Sequence, residues 1–325
     1  MPLGAFIPED DMRTQLPLGL LATAFTCLHF ANPASATSRD RVFVASYGND
    51  ANPCTFGSPC KTFQQAVNVV APGGEVTAID SAGFGPITIT QAVTITSPTG
   101  VEAGIVPVSG GNAITINAGP TDAIVLRGLT LNGSGVGNNG IEFDAGASLT
   151  IQNSQIQQFK VTGIYFVPNV ASHLSVTNTS VINNGNDGIA VFPTSGVEVN
   201  AVFNHVEANN NGNNGLGMNA SRGATIQATA SDSVAANNVG VGFNALSGAS
   251  GYASLSLFHC TTSGNSTGME ANGSLGLLQV AQTYVGAPAQ SGTVWSTANN
   301  GTIWSFSDNY SFFGNAGGIQ TFSKF

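Results

Sequence analysis

The sequence predicts an all-β solenoid, a β-helix of stacked coils, and three observations carry that prediction. A tetrapeptide of Gly, aliphatic, any residue and apolar residue recurs as Gly140-Ile-Glu-Phe143, Gly163-Ile-Tyr-Phe166, Gly188-Ile-Ala-Val191, Gly215-Leu-Gly-Met218, Gly240-Val-Gly-Phe243, Gly268-Met-Glu-Ala271 and, in weaker form, Gly318-Ile-Gln-Thr321. With Gly292-Thr-Val-Trp295 as a degenerate copy, the glycines are 23, 25, 27, 25, 28, 24 and 26 residues apart. Units of this size bury their apolar faces by stacking on their neighbours. Between the glycines lie short alternating segments such as Ile87-Thr-Ile-Thr90, Leu149-Thr-Ile151, Leu174-Ser-Val176 and Leu255-Ser-Leu257, each one strand long. Composition agrees: only 8% of the 325 residues are charged, against about a quarter in an average chain, and 41 glycines supply dense turn chemistry.

The elements follow in chain order. Residues 1–36 read as an export signal: Arg13, an apolar stretch from Leu16 to Phe30, and a small-residue cleavage pattern at Ala34-Ser35-Ala36. The mature chain is expected to start at Thr37, and Met12, directly before Arg13, is an alternative start. The apolar stretch is short and is flanked by Pro17 and Pro33, which argues against a membrane anchor. Cys54 and Cys60 flank a short loop in an exported, oxidising context and are expected to be bonded. Cys260 follows an apolar run and is expected to be a buried, inert thiol. One short helix is expected: Phe63, Ala66, Val67 and Val70 share a face, Thr62 and Gln65 make a capping box, and Pro72-Gly73-Gly74 ends it. It precedes the first strand candidate, Glu75 to Asp80, and serves as an N-terminal cap over the open end of the solenoid.

From there each repeat reads as a Gly-led strand, a variable loop, an alternating strand and a third short strand. It ends in an Asn-rich turn such as Asn183-Asn184, Asn209-Asn-Asn211, Asn237-Asn238 or Asn265. Three short strands in about 25 residues make one coil. On these motifs, together with Ser58-Pro-Cys-Lys-Thr-Phe-Gln-Gln-Ala66 and Pro72-Gly-Gly-Glu-Val76, the chain resembles the right-handed parallel β-helix proteins of the pectin-lyase-like superfamily over nearly its whole mature length. The resemblance implies a right-handed parallel β-helix of about nine coils, with inward stacks of aliphatic and aromatic residues. It also implies an outer groove that often handles polysaccharide. Residues 1–36 are then the signal, 37–74 an N-terminal segment with the disulfide loop and capping helix, and 75–325 the β-helix.

Charge narrows the partners. Without residues 1–36, which carry Arg13, Glu9, Asp10 and Asp11, the chain holds 7 basic and 14 acidic residues, a net charge of −7. Nucleic acid is excluded as a partner class on that balance. Polyanionic glycans need a bridging cation such as calcium, whereas neutral glycans meet no such obstacle. The hydrolase pattern of clustered aspartates with His-Gly is absent, because the only Asp-Asp is Asp10-Asp11; the epimerase pattern Asp-Pro-His is absent too. A lyase requires only a base and a group that neutralises the substrate carboxylate.

Strand alternation points Ile141 and Phe143 inward and Glu142 and Asp144 outward, roughly 7 Å apart, a separation that suits paired carboxylates or a calcium site. Neighbouring coils bring Tyr165 and Phe192 to the same face as ligand-binding rings, with Lys160 and Asp187 at the turns before Gly163 and Gly188. Arg127, one or two coils away, is a candidate carboxylate binder or base. Against this stands a plainer reading, in which Asp144 is one member of a turn column with Asn117, Asn219, Asn244 and Asn272. Glu142 has a counterpart in Glu270. His259 falls in the column of Asn153 and Asn178, and no histidine has a metal-ligand spacing.

The sequence therefore predicts an exported or cell-surface β-helix that binds carbohydrate or another surface polymer on an outer face, with no catalytic motif, no resident metal and no membrane span in the mature chain. The alternatives are a calcium-dependent polysaccharide lyase using Lys160 or Arg127 with Glu142, Asp144 and Asp187, and a structural or adhesive solenoid. The C-terminal coil from Gly318 to Phe325 is short and lacks an evident cap.

Overall fold

The structure is a computed structural model that describes residues 39–289, 292–306, 308–311 and 319–322. The expected signal, the Thr37 start and Gly318 lie outside the described residues. The described residues belong to one compact unit, an all-β parallel solenoid of about nine turns with one short helix.

One strand of each turn enters a nine-stranded sheet and the rest enter a twenty-stranded one. In chain order the nine are Ile87–Ile89, Ile114–Asn117, Ile141–Ala145, Ile164–Phe166, Ile189–Val191, Leu216–Ala220, Val241–Ser247, Thr267–Asn272 and Thr293–Ala298. Every pairing in this sheet is parallel. The register stacks like on like: Ile87, Ile114, Ile141, Ile164, Ile189, Leu216, Phe243, Met269 and Trp295 form one inward column. All are buried. In the next inward column the Phe143 and Phe166 rings stack, with centroids 4.4 Å apart. Each such side chain contributes about 1.5–3 kcal/mol when fully buried, and no helix layer is needed to cover it.

The register corrects the glycine alignment. Leu216 pairs with Phe243 and Phe243 with Met269, so the column runs Gly188, Gly215, Gly242, Gly268 and then Val294. Gly240 and Gly292 are two residues out of step. The column needs glycine because the next coil's carbonyl lies where a side chain would start: a Cβ on Gly215 would stand 2.8 Å from Gly242 O and 2.7 Å from Asn238 Nδ2.

Behind that column runs an internal ladder. Asn184, Asn211, Asn238 and Asn265 are buried, and each of the first three donates from Nδ2 to Oδ1 of the next at 3.0 Å. Each of the last three Oδ1 atoms also accepts a backbone N–H, from Asn184, Asn211 and Asn238 respectively. Asn238 Nδ2 donates in addition to Ala208 O, which closes the turn on the preceding strand.

At the N-terminal end the helix Phe63–Val69 buries Phe63, Ala66 and Val67, and Thr62 Oγ1 accepts from Gln65 N as expected. The other half of the capping box goes elsewhere: Thr62 N and Oγ1 both donate to the Asp50 carboxylate. The helix ends at Val69, and Pro72-Gly73-Gly74 lies inside the strand Val70–Ala78 instead of ending the helix. A strand the sequence did not mark, Arg39–Val44, pairs with Val70–Ala78. Its outer edge is covered by the loop closed by the Cys54–Cys60 disulfide: Phe43 N donates to Cys54 O, and Cys60 N to Phe43 O. Disulfide loop and helix therefore share the capping of an otherwise exposed edge.

Candidate functional site

The outward face of the nine-stranded sheet carries a groove of about 520 Å³ that spans five coils. Its cause is legible in one column: Glu142, Tyr165, Ala190, Gly217, Asn244 and Glu270 occupy equivalent outward positions on successive strands. Ala190 and Gly217 are too small to fill the space between Tyr165 and Asn244, so the sheet surface is recessed there. Phe192 and Asn219 line the same recess one outward position further along their chains, and Asn186, Asp187, Asn213 and Asn214 line it from the turns that precede the strands.

Its electrostatics are mixed. Asp187 Oδ1 accepts from Asn213 Nδ2 and Asn214 N, both at 2.9 Å. Burial pushes its carboxyl above the usual aspartate value, and the hydrogen bonds from Asn214 and Asn213 offset only part of that. Asn244 Oδ1 in the groove lining is buried without a hydrogen-bond partner in the protein. The guanidinium of Arg222 lies 3.8 Å over the centre of the Phe192 ring. That contact places a cation against an aromatic side chain at the groove.

The groove unites Tyr165, Phe192 and Asp187. Glu142 stands beside it, and its Oε2 accepts from Asn112 Nδ2 at 2.7 Å and from Asn139 Nδ2 at 2.9 Å. Asp144, two residues on, has its carboxyl raised by burial and then by the Glu142 charge. Lys160 does not join them; it is exposed on a different recess, lined by Asn183, Asn184 and Gly185. Arg127 ends a strand of the twenty-stranded sheet and donates from Nε to Gln152 Oε1 at 3.0 Å. Its strand pairs with those of the coils on either side within that sheet, and it shares no surface with Glu142.

The expected Asn column is also redistributed. Asn219 and Asn272 share a column with Leu246 between them, whereas Asn244 pairs with Gly217 and Glu270, and Asn117 pairs with Ala145 across a bulge. The two-residue misalignment at Gly240 accounts for Asn244. Sequence reading missed Arg222 as a groove residue. It sits in the turn Ser221-Arg222-Gly223, and nothing in its spacing announces that it folds back over the preceding coil. Cys260 is buried, its thiol pushed up to about 11 by burial, in keeping with an inert side chain.

Among the described residues no group of three or more His, Cys, Asp or Glu side chains is arranged to hold a metal ion. Of the calcium set, Glu142 and Asp144 share one strand whereas Asp187 lies two coils further on, and the Glu142 and Asp187 oxygens are already met by amide donors. These residues do not fit a calcium site.

Comparison with known proteins agrees on the fold. The family described as the right-handed beta helix region matches residues 76–230. Pectate lyase Pel9A superposes with a TM-score of 0.58 at 14% identity, covering 87% of this chain and 79% of its own. The Azotobacter vinelandii mannuronan C-5 epimerase AlgE4 A-module gives a TM-score of 0.35 at 14% identity, covering 78% of this chain and 85% of its own. No curated protein matches the sequence. The parallel coils, the inward columns, the family match over residues 76–230 and the Pel9A superposition together show a right-handed parallel β-helix fold similar to that of pectate lyase Pel9A.

Proposed function

We propose that this is an exported carbohydrate-binding β-helix whose ligand lies in the groove over the nine-stranded sheet. One observation carries the reading: the recess brings two aromatic side chains and a row of asparagine amides to one concave surface, and a guanidinium stacks on one of the rings. Aromatic faces take the apolar faces of sugar rings, and amides take their hydroxyls; this combination of apolar wall and few polar anchors is the general form of a ligand site. The Cys54–Cys60 disulfide supports export, and no helix among the described residues is long and apolar enough to cross a membrane.

A lyase is the second reading, and the observation in its favour is Arg222, a cation at the groove where Lys160 and Arg127 are not. A guanidinium donates and cannot readily accept a proton, so Arg222 suits holding a substrate carboxylate better than abstracting a proton. The test is affinity electrophoresis of the full-length chain in gels of polygalacturonate, alginate and neutral glucans, with unsaturated-uronate absorbance followed in parallel, with and without calcium. The expected result is retardation without product, weakened by Phe192→Ala. Product accumulation would replace the binding reading with the lyase.

A further inference from the structure

A second aromatic surface lies on another part of the solenoid. Of the six strongly exposed aromatic residues among the described ones, Tyr47 and Phe56 belong to the N-terminal loops. The other four, Phe258, Tyr284, Phe306 and Tyr310, fall on one corner of the twenty-stranded sheet. The register explains why they meet. Tyr284 pairs directly with Tyr310 on the next coil. Phe258 pairs with Ala281, and Val280 with Ser305, which sets Phe306 opposite Ala281. Phe258 and Phe306 are thus two coils apart, about 9.6 Å, and the two tyrosines one coil apart, about 4.8 Å.

The corner between these rings is a turn of left-handed residues: His205, Asp232, His259 and Gln282 have φ of 52°, 50°, 53° and 48° on successive coils. Asn, Asp and His tolerate that region better than most residues, and the turn aims each side chain out of the sheet. His259 Nδ1 lies 2.5 Å from Asp232 Oδ1. A recess of about 500 Å³ is lined by this pair, Thr261, Gln282, Tyr284 and Tyr310, among others. Tyr310 is 74% exposed, Phe258 51% and Tyr284 49%. Isolated exposed apolar residues need no explanation, but a contiguous group does.

We infer that this corner is a second carbohydrate-binding site, for an extended, uncharged glycan running along the stack of coils. The two tyrosines repeat at the coil spacing and the two phenylalanines at twice it, close to the advance of one and of two pyranoses along an extended chain, so sugars of one strand can meet the rings in register. No lysine or arginine lines the recess, and the one ring nitrogen shown with an acidic partner, His259 Nδ1, is turned to Asp232 and away from a uronate, a phosphate or an anionic lipid surface. Its carboxylate, Asp232, repels them. Hydroxyl and amide groups of Thr261 and Gln282 supply polar anchors beside the rings, which an apolar protein partner would leave unpaired. The site is independent of the groove, on a different sheet.

The experiment is affinity electrophoresis of the full-length chain in hydroxyethyl cellulose and in glucomannan gels. It compares wild type with Tyr284→Ala/Tyr310→Ala, Tyr310→Phe, Phe192→Ala/Arg222→Ala and the two double substitutions combined, and sedimentation velocity is run on the same samples. All four substituted side chains are at least partly exposed, and the urea midpoint of each variant checks that it folds. The expected result is retardation that falls about tenfold in the double tyrosine variant, survives in Tyr310→Phe, and falls by the same factor when the groove substitutions are also present. Absence of retardation in wild type, or equal retardation in the double tyrosine variant, would overturn the inference. Concentration-dependent association abolished by Tyr284→Ala/Tyr310→Ala would overturn it as well, reassigning the corner to contact between copies. Loss of retardation only in Phe192→Ala/Arg222→Ala would uphold the groove and reject the corner; the reverse would do the opposite.

Discussion

Two regions of this molecule are built largely from asparagine, and they use it in opposite ways. The ladder Asn184–Asn211–Asn238–Asn265 is buried, and every amide in it is committed: each of the four donates from Nδ2 to a side-chain oxygen, the first three to the next rung. At the groove, Asn186, Asn213, Asn214, Asn219 and Asn244 face outward, only partly bonded, and Asn244 Oδ1 has no partner in the protein. The two sets alternate within the same turns, as in Asn211-Gly-Asn-Asn214. What differs is the direction in which the turn points each residue. Inside, an unmade hydrogen bond is expensive and the ladder is closed; outside, water or a ligand can complete it. The ladder therefore belongs to stability, and on the proposed function the groove belongs to recognition.

The largest expected effect comes from breaking the ladder. Asn238→Ala removes the acceptor of Asn211 N and Nδ2 and the donor to Ala208 O and Asn265 Oδ1. It should cost about 3 kcal/mol or more, read as a lower urea midpoint. Next is Gly215→Ala, whose new Cβ meets Gly242 O and Asn238 Nδ2; a loss of about 1–3 kcal/mol is expected by the same measurement.

Asp187 lies on the border between the two regions. Its carboxyl is raised by burial, so ionisation disfavours the folded state. The stability it contributes is present below the unfolded aspartate value and is lost as pH rises through the folded one. Asp187→Asn should flatten the pH dependence of unfolding on the acid side of neutrality and raise stability at pH 7, with Oδ1 still accepting from Asn213 and Asn214. A steeper profile or a lower midpoint at pH 7 would contradict this assignment. The smallest structural effect belongs to Phe192→Ala at the groove, where the urea midpoint should move by under about 1 kcal/mol.

The sequence was legible where periodicity carries the information. The Gly-led repeats give the parallel coils, Ile141 and Phe143 point inward, Cys54 and Cys60 are bonded, and Thr62 caps the helix. His259 shares the left-handed turn of Asn153 and Asn178. Legibility failed where the coil length changed without a marker. The strand Val241–Ser247 begins with Val-Gly-Phe, so Gly240 fits the motif and Gly242 departs from it only by an aromatic second residue; the backbone approach of Gly268 O selects Gly242. That slip of two residues moved Asn244 into the wrong column. Lys160 and Arg127 were near Glu142 in chain position, but a coil turns through its faces within a few residues, so proximity in sequence did not translate into a shared surface. Arg222 reaches Phe192 from a turn on the next coil, a contact set by loop geometry and by no repeat.

On the proposed function the groove recognises carbohydrate while the ladder beneath it only holds the coils together. The most direct test measures affinity and stability on the same Phe192→Ala protein, by gel retardation in the polysaccharide that wild type binds best and by urea unfolding. The expected result is affinity about tenfold weaker, a loss of about 1.4 kcal/mol in binding, with the midpoint essentially unchanged. Undiminished affinity, or a loss of affinity that tracks a loss of stability, would contradict the account.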